Sequence, residues 1–476
     1  MELTELSAME LARAIRTGAT SAAEVVDAHV KVLNEVNPVI NAVVAERYDQ
    51  ARREADAADA RLAAGGPVPP LLGVPCTVKE SIAVAGMPNT AGVVARRGTV
   101  ATGSAPVVRR LVEAGAIVLG VTNTSEMCMW VEAENRLYGR TRNPYDPVRT
   151  AGGSSGGEGA AVGSGASPFG LGSDIGGSIR IPAFCCGVFG HKPSHGLVPA
   201  TGNYPPVGGG SAVLFSNGVL ARRAEDLMPL LRLIAGPDGV DPLVTSPPAL
   251  PDVGTLRGLT VIVSEDAWQI PTSDEVLYAR ERAAGALAAA GARVEHRRMP
   301  RLRRALDLYI TTLARTSEQT ARQVLGAGPV RLWHRGGPHT VATRVLLVAE
   351  QVHGRIPARL AARMISAGRV LADELRAAIG DAVLLHPPLA TPAPRHGRTV
   401  GRPWWIGHAV PFNLAGLPVT QVPLGLNRAG LPLGVQVAAG RGRDALTIAV
   451  ALELGRVFGG WTRPRPRAGW VLSLAR

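Results

Sequence analysis

Apolar residues recur at three- and four-residue spacing through the first sixty positions, and two S-x-x-E boxes, Ser7 to Glu10 and Ser21 to Glu24, stand where such runs begin. That spacing predicts amphipathic helices with reciprocal N-caps, the first closed by Gly18, and a helical N-terminal part over 1–66. The run Leu71 to Val78 is apolar and bracketed by prolines, which reads as a buried strand delivering Lys79 at its end. Helix, glycine and strand follow one another in Ser104–Asn123. The same order, preceded by a further strand, spans Leu259–His296. These are crossover units, so an α/β fold with a largely parallel or mixed sheet covered by helices is expected. The polar segment Pro237–Pro251 reads as an internal loop, and the stretch from Arg297 to about Arg376 as helical and basic. The tail returns to strand in GLPVTQVPLGL and LPLGVQVA before a helix over Asp444–Val457.

With 476 residues, 46% hydrophobic and 19% charged, the chain has material for a large core. No run of eighteen apolar residues appears and the N-terminus lacks an apolar signal region, so a soluble cytoplasmic protein is expected. Cys76, Cys128, Cys185 and Cys186 lack CxxC spacing and read as free thiols. A formal charge of +13 raises the question of nucleic acid, but the basic residues are scattered and no nucleic-acid motif accompanies them, so no such partner is expected. Almost all of these residues are arginine; lysine stands only at positions 31, 79 and 192. A buried lysine can lose its proton and act as a base, which arginine cannot.

The run AGGSSGGEGAAVGSGASPFGLGSDIGGSIRIPA over Ala151–Ala183 admits several readings. A Walker loop would need lysine after Gly157, where Glu158 stands, and the dinucleotide fingerprint lacks its third glycine. A flexible linker would not carry Phe169, Leu171, Ile175, Ile179 and Ile181. GGSSG satisfies the nucleophile-elbow pattern with Ser154 attacking, but YDPVRTA before it is poor as a strand and GGEGAA opens a helix weakly. The alternative is Ser178, where Ile175, Gly176, Gly177 and Ser178 offer successive N–H groups in a concave nest beside a hydroxyl. A nest beside a serine is an oxyanion hole beside a nucleophile, and one donor there is worth roughly 3–4 kcal/mol of transition-state stabilisation. Lys79 is then the candidate base.

GGSSGGEGA, DIGGSIRIPA downstream and VKES upstream together resemble the amidase signature family, and GVTNTSEMCMWVEAENRLYGRTRNPYDP, GVFGHKPSHGLVP and FNLAGLPVTQVPLGLNRAGLPLGVQVAAG are similar to its fatty acid amide hydrolase branch. The resemblance covers most of the chain except roughly 290–380. It implies one amidase signature domain over 1–476, a large α/β/α sandwich with a mixed, mostly parallel central sheet. Its catalytic core would cover 70–235, a variable part that would form a substrate channel 290–380, and the C-terminal part of the core 381–472. It implies a Ser-Ser-Lys triad: Ser178 as nucleophile, Ser154 as relay after a cis bond from Gly153, and Lys79 as the base that begins the cycle neutral. It further implies a nest of Ile175, Gly176 and Gly177, with the Cys128 carbonyl lining the substrate site. Met127 and Trp130 are candidates for the pocket wall, with plain core as the competing reading.

The substrate implied is a small-molecule amide, fatty acyl or aryl, with esters cleaved alongside. No cofactor and no metal are expected, and His191 and His195, separated by Pro193, do not form a zinc motif. Asp174 and Arg180 are expected to pair in a structural role, and Lys192 to make a structural contact. The basic run Arg297–Arg304 reads as a solvated helix face, with peripheral contact to anionic lipid as the minority reading. Homodimers occur among relatives. A glutaminase subunit of a tRNA-dependent amidotransferase and a catalytically silent binding protein are the alternatives carried forward.

Overall fold

The computed structural model describes residues 2–246, 250–265, 271–299, 302–326 and 337–465. Both capping boxes form as expected. The Ser7 and Ser21 hydroxyls accept from the Glu10 and Glu24 N–H groups, and the glutamates reach back to the serine N–H groups. Each such cap is worth about 1 kcal/mol, and they open the helices Ala8–Arg16 and Ala22–Ile40. The N-terminal part is not wholly helical, however. The strand Val43–Glu46 lies between the second helix and the third, Tyr48–Ala63, because VVAE can pair with an open sheet edge.

The strands are β1 (Val43–Glu46), β2 (Pro75–Lys79), β3 (Ile117–Thr122), β4 (Glu134–Asn135), β5 (Gly139–Arg140), β6 (Phe169–Asp174), β7 (Phe189–Lys192), β8 (Ser216–Ala221), β9 (Thr260–Ser264), β10 (Arg293–Arg297), β11 (Val383–His386), β12 (Val419–Leu426) and β13 (Pro432–Ala439). All but β4 and β5 join one eleven-stranded sheet, ordered β1-β3-β2-β6-β8-β7-β12-β13-β11-β9-β10. The sheet is mixed, as expected, but its parallel share is smaller than the sequence implied. Parallel pairing is confined to β2 with β3 and β6, and β9 with β10 and β11. These are the places where helices such as Pro106–Glu113 and Asp274–Ala289 supply a crossover. The centre is antiparallel: β6 with β8, β8 with β7, β7 with β12, β12 with β13 and β13 with β11.

Helices cover both faces, and the alternation along the strands shows it. On β9, Val261 and Val263 enter the large core while Ile262 enters a separate one; on β11, Val383 and Leu385 divide from Leu384 in the same way. The large core takes apolar residues from the N-terminal helices, from Leu227–Ile234, from Asp274–Ala289 and from Asp444–Phe458. The opposite face meets the helix Ala358–Ile379 and Phe412. Near the middle of the sheet, Val162, Ile179, Ala183, Val188, Leu220 and Trp461 form the layer that carries the glycine-serine run. Fully buried Arg222 donates to the carbonyls of Thr4, Leu6 and Gly165, tying the N-terminal segment to that layer.

The basic run Arg297–Arg304 is not one helix face. Arg297 ends β10 and pairs with Glu295, Leu302–Arg304 form a single 3-10 turn, and Arg301 lies outside the described residues. Hydrogen bonding of the strand edge carries the chain past the point where helical periodicity alone would begin. Residues 466–472 of the C-terminal part lie outside the described residues. Among the described residues, no helix is long and apolar enough to cross a membrane.

Candidate active site

Strand β2 is buried along its whole length and ends at Lys79, whose side chain is fully enclosed. Its Nζ lies 2.6 Å from Ser154 Oγ and 2.9 Å from Ser173 Oγ. Burial pushes the Lys79 pKa down from its ordinary value, against the opposing pull of Cys128, Asp174 and Glu158. A lysine so placed holds its proton less tightly than an exposed one, and an amine that has lost its proton can accept one from a neighbouring serine hydroxyl.

Ser154 follows Gly153 through a cis peptide bond, as the resemblance implied. A helix, Gly156–Gly163, starts directly afterwards, although its four glycines make it weak on propensity alone. Packing overrides propensity. A Cβ on Gly157 would lie 2.4 Å from the Asn123 nitrogen and 2.6 Å from its carbonyl oxygen, so only glycine lets the helix seat against that loop. No strand precedes the turn, so the nucleophile-elbow context is half absent.

Ser178 sits at the start of the next turn, before the helix Arg180–Cys185, and the Ser155 N–H donates to its carbonyl at 3.2 Å. Exposure separates the three residues: Lys79 is 0% exposed, Ser154 1% and Ser178 9%. Ser178 is the most exposed of the three. Among the described residues no hydrogen bond joins the Ser154 and Ser178 hydroxyls.

The nest differs in one respect from expectation. The Gly177 N–H donates to Asp174 Oδ1 at 2.8 Å, and the Ile179 N–H to Oδ2 at 3.1 Å. Among the described residues the N–H groups of Ile175, Gly176 and Ser178 have no such acceptor. Gly177 holds the turn instead: its φ is +110°, and a Cβ there would lie 2.7 Å from Ala409 Cβ and from Ile181 Cδ1. Asp174 also receives Arg180 through Nε and Nη2, both at 3.0 Å, and Asn413 Nδ2 at 2.9 Å. Burial works against its charge, yet these donors hold its carboxyl well below the usual carboxylate range. Arg180 is in turn satisfied by the Ala409 carbonyl, Gln436 and Asn413. The pair is the expected structural one, and it fixes the loop that presents Ser178.

Cys128 and Met127 occupy a tight turn with φ of +58° and +60°, a conformation that costs a non-glycine residue of order 1–3 kcal/mol. Cys128 is half-buried, with its Sγ 3.3 Å from Thr124 Oγ1, and it interacts with Lys79. Met127 is 3% exposed and packs with Val93, Leu325 and Leu347, so its side chain is core. Trp130 is half-buried, donates to Thr399 Oγ1 at 2.9 Å and lines a cavity of about 320 Å³ with Glu126, Arg136 and Thr340.

Residues of 290–380 reach the site. The Tyr309 hydroxyl donates to the Ile175 carbonyl at 2.9 Å, and Glu126, next to Met127, accepts from His339, Thr340 and Thr343. Lys192 is buried and donates to the Pro193 carbonyl at 2.7 Å, the structural contact expected of it. His191 bonds Thr420 and Asp444. Among the described residues no cluster of His, Cys, Asp or Glu could hold a metal ion.

Sequence reasoning overlooked Ser173, which touches Lys79. Its signal was a polar residue beside Asp174 at the end of an otherwise apolar and glycine-rich strand. Glu158 was also passed over except as the residue that spoils a phosphate loop. It lies fully buried between Thr77 and Thr122.

The model of the Amidase family matches residues 24–448. Fatty-acid amide hydrolase 2-A of Danio rerio is 40% identical, the match covering 96% of this chain and 90% of that protein. A glutamyl-tRNA(Gln) amidotransferase subunit of Symbiobacterium thermophilum is 34% identical, over 91% and 92% respectively. The solved structure of 6-aminohexanoate cyclic dimer hydrolase in complex with substrate superimposes with a TM-score of 0.83 at 27% identity, covering 97% of this chain and 99% of that one.

Proposed function

Since the chain belongs to the amidase family and is an amide hydrolase acting on C–N bonds other than peptide bonds, we propose that it works through an acyl-enzyme on Ser178, with Ser154 and Lys79 as its proton relay. The observation that carries this reading is the 2.6 Å contact between a fully buried Lys79 and Ser154, beside the more open Ser178. Neutral Lys79 takes the Ser154 proton as Ser154 takes that of Ser178. Ser178 Oγ then bonds to the amide carbon, and the carbonyl oxygen becomes an anion facing the N–H groups of Ile175, Gly176 and Ser178. As the C–N bond breaks, the proton held on Lys79 returns through Ser154 to the departing nitrogen. Water, deprotonated along the same path, attacks the ester carbon and releases the acid and free Ser178.

The substrate proposed is an amide with an apolar acyl part, fatty or aryl, supported by the identity to the fatty-acid amide hydrolase. That identity is higher than the one to the amidotransferase protein, which favours a free-standing hydrolase over a glutaminase subunit. The segment 290–380, which touches the nest through Tyr309, is proposed as the wall of the substrate channel. The reading places the enzyme in the cytoplasm, consistent with four free cysteines.

Labelling with a fluorophosphonate, followed by peptide mass mapping, tests the proposal. Label is expected on Ser178 and should be lost or slowed by at least 100-fold in Lys79→Ala. Label on Ser154, or a rate unaffected by the lysine substitution, would overturn it.

A further inference from the structure

The helix Ala305–Thr316 lies in the segment that the family resemblance covers least, yet it places Tyr309 against the turn that carries Ser178. The ring is 2% exposed and packs with Leu214, Leu306, Leu371 and Val410, and its hydroxyl donates to the Ile175 carbonyl at 2.9 Å. Burial pushes the phenol up, and the charge of Asp174 adds to this, so the hydroxyl keeps its proton and remains a donor. The backbone leaves room for it. A Cβ on Gly176 would stand 2.8 Å from the hydroxyl oxygen, so glycine at this position is what allows the approach.

That carbonyl is one half of a peptide unit whose other half is the Gly176 N–H. A trans peptide is planar, so its C=O and N–H point in opposite directions, and a group that fixes one fixes the other. The Gly176 N–H has no acceptor among the described residues. The bond from Tyr309 therefore turns this N–H away from the helix without occupying it. Hydrogen bonds in series also polarise one another, by roughly 10–30% per bond, so a donor on the carbonyl makes the N–H on the same peptide a better donor.

We propose that Tyr309 is a positioning residue for amide hydrolysis: by donating to the Ile175 carbonyl, it aims and polarises the Gly176 N–H toward the oxyanion formed when Ser178 attacks. This rests on the reading of Ser178 as the nucleophile and of Gly176 as one of its oxyanion donors.

Two side chains hold the turn, by opposite chemistry. Asp174 accepts from the Gly177 and Ile179 N–H groups and so occupies both. Tyr309 grips a carbonyl instead, which steadies the same turn and leaves an N–H for the substrate. The bond to Ile175 is present before and during the reaction, but its effect on Gly176 counts only once negative charge develops on the substrate oxygen. Loss of the hydroxyl should therefore lower the rate constant and spare the affinity.

The test is the concentration dependence of fluorophosphonate labelling at Ser178, which separates the limiting rate constant from the half-saturating concentration. As Ser178 Oγ bonds to phosphorus and fluoride departs, the serine proton passes through Ser154 to Lys79, and the phosphoryl oxygen gathers charge that calls on the same donors. Tyr309→Phe should lower the rate constant on the order of tenfold, less than the roughly 100-fold to 1,000-fold that removing a whole donor costs. The half-saturating concentration should stay within about twofold. Gly176→Ala should slow labelling as well, because its Cβ displaces the hydroxyl. Adding Tyr309→Phe to it should bring little further loss, since phenylalanine has no oxygen to displace. If the phenylalanine variant fails to fold, Gly176→Ala decides the matter, and a rate constant that stays at the wild-type value overturns the proposal. In folded variants, an unchanged rate constant, a loss confined to the half-saturating concentration, or two losses that simply add overturns it and makes Tyr309 a packing residue alone. Ser178→Ala, run alongside, separates the two failures: if it takes label at the wild-type rate, the reading of the nucleophile itself has failed.

Discussion

Asp174→Asn keeps the size of the side chain and removes its charge, leaving Arg180 buried at 0% exposure without a counter-ion. Two bonds from the guanidinium at 3.0 Å lose their ionic character, as do the bonds from Gly177 and Ile179. Breaking a buried pair by neutralising one partner costs about 3–5 kcal/mol. Against a typical stability of about 5–15 kcal/mol, the variant should fold but be marginal. Arg180→Met should cost a similar amount, since it strands Asp174 and also the Ala409 carbonyl, Gln436 and Asn413. In the double variant neither charge is left alone, so its destabilisation should fall short of the sum of the singles by about 2–3 kcal/mol.

Urea unfolding of the four proteins measures this cycle. Labelling of Ser178 in the same samples should fall by about 100-fold or more in Asp174→Asn, because the loop that carries Ser178 loses its anchor. The pH sign follows from a carboxyl held below its unfolded value. The stability it contributes is present above the ordinary carboxylate range and is lost as pH falls through the depressed folded value, so the difference between wild type and Asp174→Asn should shrink toward strong acid. Single substitutions that each cost less than about 1 kcal/mol and simply add would refute the reasoning.

Two further outcomes follow from the same geometry. Gly177→Ala puts a Cβ at a φ of +110° and against Ala409 and Ile181, so unfolding experiments should show a loss of at least about 1–3 kcal/mol, with labelling impaired in the folded fraction. Ser173→Ala removes one of the two hydroxyls on Lys79 and leaves Ser154 in place; labelling should slow by about tenfold or less, the worth of one hydrogen bond, while Ser178→Ala abolishes it.

Much of the fold was legible because its signals are local. The reciprocal caps at Ser7 and Ser21, the helix and strand of Ser104–Asn123 and the strand ending at Lys79 each follow from periodicity, capping chemistry or a bracketed apolar run. Other features depend on partners far along the chain. Whether VVAE pairs with β3, and whether the centre of the sheet runs parallel or antiparallel, is decided by which edges meet, and no short window of residues records that. The helix Gly156–Gly163 goes against its own propensity because close packing on Asn123 outweighs it.

The candidate site divides in the same way. Residue types and their order carried part of the chemical inventory, a rare lysine at a strand end and a glycine-rich nest beside Ser178, while the relay role of Ser154 came only from the family resemblance. Folding in three dimensions was needed to show that the Gly177 N–H is held by Asp174, that Met127 is core, that Ser173 touches Lys79 and that Glu158 is enclosed between Thr77 and Thr122. The reason is physical: donor direction, burial and charge compensation belong to spatial neighbourhoods, and here those neighbourhoods join residues from strands β2, β3 and β6 with a helix that follows β3 by more than thirty positions.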